Sequence, residues 1–299
     1  MTLLLIGWWS SERAAAAQPW RPFSSSSPFN VAIDSSARVD PNSAAMVARA
    51  TRTGQVHANL YEFGIPIYTA TSSTPRYAVS CSLDGTWGPC PLNRSPRRIP
   101  DGAQPQLGSD GAMVVLDSTT GNVDEYWQAW HSGSSWGASF GAINPMSGSG
   151  WGGSSTGSGA SRLGGVVRVS EIAQGAIGHA LVLQSDNTCA KVYRAPALKT
   201  DGTSTRADCL PEGARLQLDP AIDLSTISGL TSGERTVAEA LQTYGAYVVD
   251  YGSAPLSISF QRASDGDWSF PGSAYVGAGL AWDYYGMPHV PWSKLRVLR

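Results

Sequence analysis

Short runs of alternating apolar and polar residues recur along this chain, and no long helical pattern separates them. "GIPIYTAT" (64–71), "RYAVSCS" (76–82) and "ARLQLD" (214–219) alternate with period two. "GHALVLQ" (178–184) reads as a buried strand. In a strand successive side chains face opposite ways, so such runs each supply one face to a core. "AMVVLDSTTGNVDEYWQAW" (112–130) reads as two strands around a Thr-Thr-Gly-Asn turn, and "AYVVDYG" with "LSISFQ" as a second hairpin. Helical signals are few. Asp40-Pro41 opens a short helix ending by Gly54, "VSEIAQG" makes one or two turns stopped by Gly175, and Thr231 with Glu234 forms a capping box for "TSGERTVAEALQTYG". This pattern predicts a mainly β protein: an antiparallel β-sandwich or jelly roll with a few short helices, in one domain over 19–299.

Composition narrows the function. The 299 residues carry a net charge of −2, and only 15% are charged, which excludes a polyanion-binding basic surface and with it a nucleic-acid partner. Gly (33) and Trp (11) are abundant. The four cysteines fall in two local pairs, Cys81/Cys90 and Cys189/Cys209, with no Cys-x-x-Cys and no histidine at ligand spacing. Two disulfides and an oxidising, extracellular compartment are expected, with no metal and no cofactor. Residues 1–18, with the apolar run Leu3–Trp9 and a small-residue stretch at Ala14–Ala17, read as the remnant of a signal peptide. No run is long enough to span a membrane, and a monomer is expected.

The chemistry-bearing residues cluster in "GNVDEYWQAW" (121–130). On strand alternation Val123, Glu125, Trp127 and Ala129 share one face, and Asp124, Tyr126, Gln128 and Trp130 the other. Rings that stack on sugar faces, with amides and carboxylates that bond hydroxyls, suit a glycan cleft. Only one face is expected to line it, while the other packs. Glu125 is either paired or cleft-lining, since a buried unpartnered carboxyl is costly. Glycoside hydrolysis needs two carboxyl groups. The candidates are Glu125, favoured as the acid, Asp124, and Asp250, which lies in the apolar run "AYVVDYG" as either a hydrogen-bond hub or a tuned acid. A polysaccharide lyase is the alternative, with His179 as base, Tyr126 or Tyr251 returning the proton, and Arg168 neutralising a uronate carboxylate. A lone histidine opening a strand is more often structural. "GSSWG" (133–137) matches the nucleophile-elbow pattern of esterases, but in a Ser/Gly-rich segment. From Ser132 to Gly165 eleven residues are glycine; the interspersed Trp136, Phe140 and Trp151 predict an ordered loop near a binding face and not a linker.

Several stretches, "PWRPFSSSSPFN", "SDGAMVVLD", "DEYWQAW", "SRLGGVVRVSEIAQGAIGHALVL", "LPEGARLQLDP" and "ALQTYGAYVVDYGS", together resemble a group of secreted, mostly actinobacterial proteins of unassigned activity found beside carbohydrate-active modules. The resemblance runs from about Pro19 to Gly252. It implies secretion and a single domain and assigns no catalytic residue. The general cast resembles jelly-roll carbohydrate-active enzymes. The expectation is a secreted protein facing a polysaccharide or cell-wall glycan, a glycoside hydrolase ahead of a lyase, with a non-catalytic carbohydrate-binding or cell-surface protein as the reading from another class.

Overall fold

The computed structural model describes residues 21–153 and 155–299; the signal-peptide remnant expected over 1–18 lies outside them. Strand is the main regular element. A six-stranded sheet runs, edge to edge, through His57–Asn59, Ser257–Ser259, Leu181–Ser185, Ala246–Tyr251, Arg215–Leu218 and Leu295–Val297. A four-stranded sheet runs through Phe140–Pro145, Asn122–Trp127, Met113–Asp117 and Ile67–Ala70.

The expected hairpin at Met113–Asp117 and Asn122–Trp127 is present, with Asp117 opposite Asn122. Asp117 closes its turn by accepting from the Thr119 amide (2.9 Å), and Gly121 supplies the left-handed residue (φ 69°). The purely antiparallel arrangement is corrected. Leu181–Ser185 pairs in parallel with Ala246–Tyr251, His57–Asn59 with Ser257–Ser259, and Ile67–Ala70 with Met113–Asp117. Parallel neighbours need a long crossover, and the chain between Leu181–Ser185 and Ala246–Tyr251 makes one through Arg215–Leu218 and the helix Ser232–Thr243. The second expected hairpin is corrected as well. Leu181–Ser185 lies between Ala246–Tyr251 and Ser257–Ser259, because the "GSAPL" connection steps over one strand position.

Three apolar clusters follow from strand alternation. Val114 and Val123 from the four-stranded sheet meet Val182, Tyr247 and Val249 from the six-stranded one. On the other face of the four-stranded sheet Met113, Val115 and Tyr126 pack with Leu92, Trp136 and Phe140. On the other face of the six-stranded sheet Leu181, Leu183, Val248 and Ile258 meet Val237 and Leu241 of the helix. That helix has the expected capping box: the Thr231 hydroxyl accepts from the Glu234 amide (3.2 Å), and the Glu234 carboxyl accepts from the Thr231 amide (2.9 Å). The expected disulfides join Cys81 to Cys90 and Cys189 to Cys209, which is consistent with a secreted protein. Among the described residues no helix is long and apolar enough to cross a membrane.

One irregularity positions the site. Leu183 pairs with Val248, but Gln184 pairs with Asp250, so Val249 is an extra residue in its strand. A bulge of this kind re-aims every side chain beyond it. Without it Asp250 would share the face of Val248, inside the main core. With it, Asp250 stands beside Gln184 on the side of the six-stranded sheet that opens to solvent.

Candidate active site

Two adjoining cavities, of about 540 and 550 Å³, open along this side. Four residues line both: Asp110, Arg162, Asp250 and Tyr251. They form the waist of one elongated cleft. At one end Trp87 and Trp127 stack, their ring centroids 5.4 Å apart. At the other, Phe63 and Tyr284 line the wall. Tyr251, 47% exposed, stands between them.

At the waist one guanidinium lies between two carboxyl groups, at ion-pair distance. Arg162 Nη1 lies 3.6 Å from Asp110 Oδ2, and Nη2 lies 4.0 Å from Asp250 Oδ2. Burial pushes the Asp250 carboxyl up to about 8; the charges of Asp201 and Asp110 add to this, against Arg162 and the Gly157 amide, which donates to Asp250 Oδ1 at 2.8 Å. Burial thus favours the protonated, neutral form of Asp250, the form a general acid needs. Asp110 is more open, its side chain 43% exposed. A third acid, Asp201, accepts from the Tyr251 amide (3.1 Å) and packs against Gly157, where a Cβ would collide with its carboxyl. Beneath it Glu212 is fully buried. Burial, then the neighbouring Asp201 and Asp250, push Glu212 up to about 10, so it is protonated as well. Among the described residues no group of His, Cys, Asp and Glu is arranged to hold a metal ion.

The predicted site residues separate. Asp250, Tyr251 and Trp127 come together on the cleft. Glu125 does not reach it. It points to the cleft side of its strand, as Trp127 does, but is 0% exposed and lies behind the wall. Its oxygens accept from Asn144 Nδ2 (2.9 Å), the hydroxyls of Ser155 and Ser161, and the Arg162 amide (3.0 Å). Of the two readings of Glu125, the paired one holds. The residue fixes the 155–162 segment that carries Arg162, a positioning role, with four donors on a carboxyl that is 0% exposed.

The opposite face is also packed, so neither face of the strand is an open cleft wall. Tyr126 is fully buried in the apolar cluster under the four-stranded sheet. Asp124 is 1% exposed, with Arg97 3.6 Å away. Burial raises it to about 6, the Asp117 and Glu125 charges adding to this and Arg97 opposing. The alternation stops at Trp127, because Gln128 adopts φ 50°. Gln128 then accepts from Ser139 Oγ (2.6 Å), and Trp130 covers Gly137 in a separate small sheet, so neither lines the cleft.

His179 and Arg168 also fall elsewhere. His179 is 0% exposed; Nε2 sits 3.0 Å from Glu171 Oε1 and Nδ1 sits 2.9 Å from the Ala180 carbonyl oxygen. Arg168 Nη2 bonds the same Glu171 carboxyl at 3.1 Å. This buried network caps the helix Val169–Gln174 and presents no base to the cleft. "GSSWG" forms the turn of a β-hairpin, Ser132 opposite Ser135, and not the strand-to-helix corner that a nucleophile elbow needs. The 132–165 segment is ordered where described, but its rings anchor it: Trp151 stacks on Phe29 at 5.2 Å and Trp136 on His131 at 4.7 Å. Its Ser155–Gly157 stretch and Arg162 line the cleft instead.

Sequence reasoning missed Asp110, Arg162, Asp201 and Glu212. Asp110 and Asp201 precede glycine in "SDGA" and "TDGT", which read as ordinary turns. Comparison of the chain with models of protein families, with curated proteins and with solved structures finds no match.

Proposed function

We propose that the protein is a secreted glycan-active enzyme, a glycoside hydrolase that takes a polysaccharide along the cleft and cuts it at the waist. One observation carries the reading: a protonated Asp250 and an open Asp110 flank a single guanidinium where two ring-lined cavities meet. Polysaccharide clefts need aromatic platforms on both sides of the broken bond, and hydrolysis needs one neutral and one ionised carboxyl beside it, about 5–9.5 Å apart. Two carboxyls on one guanidinium are close enough to serve.

In this reading Asp250 donates its proton to the glycosidic oxygen as that oxygen leaves the anomeric carbon. Asp110 takes a proton from the attacking water, or attacks the anomeric carbon itself. Arg162 stands between the two carboxyl groups and orients them. The elimination reading loses its predicted base, because His179 is sealed in the core. A sandwich relation between the two large sheets belongs to the same reading, supported by the apolar cluster they share.

The test is a screen of the full chain against polysaccharides, reading reducing ends and the ultraviolet absorbance of unsaturated uronates together. Reducing ends without new absorbance are expected on at least one substrate. Absorbance at equal yield would make the protein a lyase. Binding with neither signal would make it a binding protein.

A further inference from the structure

The half of the cleft away from the tryptophans has a floor of uncharged polar side chains. Asn59, Ser257, Gln184 and Ser259 come from three adjacent strands and share the face on which the bulge places Asp250. They form a directed hydrogen-bond chain. Asn59 Nδ2 donates to Ser257 Oγ (3.4 Å), the Ser257 hydroxyl donates to Gln184 Oε1 (3.1 Å), and Gln184 Nε2 donates to Ser259 Oγ (2.8 Å). The chain leaves groups unspent. The Asn59 carbonyl oxygen, the second Gln184 N–H and the Ser259 hydroxyl hydrogen have no partner among the described residues. The cavity therefore offers an acceptor as well as donors. A sugar hydroxyl both donates and accepts, whereas a carboxylate only accepts.

The charges agree with this. Arg162 and His57 are the basic residues lining this cavity. Arg162 is shared between Asp110 (3.6 Å) and Asp250 (4.0 Å), and His57 Nδ1 sits 3.0 Å from the Tyr284 carbonyl oxygen. A uronate entering here would meet the Asp110 carboxyl and the Asn59 side-chain oxygen, and the one guanidinium on this wall already faces two carboxyl groups. Phe63 and Tyr284, centroids 6.5 Å apart, give the sugar ring an apolar wall.

Resting on the hydrolase reading, we infer that this half of the cleft is a subsite for an uncharged sugar unit, so that the substrate is a neutral polysaccharide and not a polyuronate. The test is calorimetric titration of the full chain carrying Asp250→Asn, which stops turnover. The probes are tetrasaccharides of glucose, xylose, mannose and N-acetylglucosamine, and tetragalacturonate. One neutral tetrasaccharide is expected to bind at least about ten-fold more tightly than tetragalacturonate, and Gln184→Ala in the same background to weaken it by about ten-fold or more. Ser259→Ala decides the matter if Gln184→Ala does not fold. Equal or tighter binding of tetragalacturonate overturns the inference and leaves the hydrolase reading standing. So does neutral binding that ignores both floor substitutions. Failure of every sugar to bind overturns both.

Discussion

Glu125 and Asp250 are both acids in mainly apolar strand segments, and their surroundings give them opposite tasks. Four donors converge on Glu125, from Asn144, Ser155, Ser161 and the Arg162 amide. Removing the carboxyl strands those donors in a buried site, at about 1–3 kcal/mol for each unsatisfied group with partial relaxation. Glu125→Ala should therefore lower the melting temperature strongly, by about 3 kcal/mol or more of stability, and lose activity through displacement of Arg162; thermal unfolding checks this. Asp250 accepts few hydrogen bonds and is burdened by burial. Its folded value near 8 lies above its ordinary 3.8, so the stability it contributes is complete below 3.8 and is lost as pH rises through about 8. In the proposed mechanism the same proton goes to the glycosidic oxygen. A pH–rate profile should fall on the alkaline side with an apparent pKa near 8, whereas the thermal stability due to this group should decline between about pH 4 and pH 8 and level off above it.

At the scale of elements, the bulge at Val249 and the two loops over the cleft decide where the acids stand. The Cys189–Cys209 disulfide closes the loop that carries Lys199, Thr200 and Asp201, all on the cleft wall. For a loop of this length the constraint is worth about 3 kcal/mol. Replacing both cysteines by serine should lower stability by about that amount and raise KM more than it lowers kcat, since Asp250 and Arg162 are held from other segments. Thermal unfolding with steady-state kinetics checks both. The strands, the 113–127 hairpin and the capped helix at 232–243 were legible in the sequence, because each depends on neighbours within a few residues. The parallel pairings were not, since the partners of Leu181–Ser185 lie more than sixty residues on. Glu125 was legible as a strand acid, but its partners come 19 to 37 residues later, in a segment whose Ser/Gly composition carries no sign of them. The apolar setting of Asp250 in the sequence offered two readings, a hydrogen-bond hub or a tuned acid. The bulge that turns it outward could not be read from "AYVVDYG".

For the whole molecule, two sheets meet over a shared apolar cluster, and the cleft lies where that cluster gives way to polar side chains. The six-stranded sheet carries Asp250, while loops supply Asp110 and Asp201 and, at 83–90 and 155–162, a ring, backbone donors and Arg162. This division suits the proposed grip on an extended chain against a rigid floor. The central claim is that the Asp250 and Asp110 pair, and not the acids of the 121–130 stretch, performs the chemistry. The most direct measurement is reducing-end release from the polysaccharide found in the screen, by the wild type and by Asp250→Asn and Asp110→Asn proteins of unchanged circular dichroism. Both variants should lose on the order of 10²–10⁴-fold in kcat, as loss of a catalytic acid or base does. Release by Asp250→Asn within about two-fold of the wild type would contradict the claim, since a group that supplies the proton cannot be dispensable.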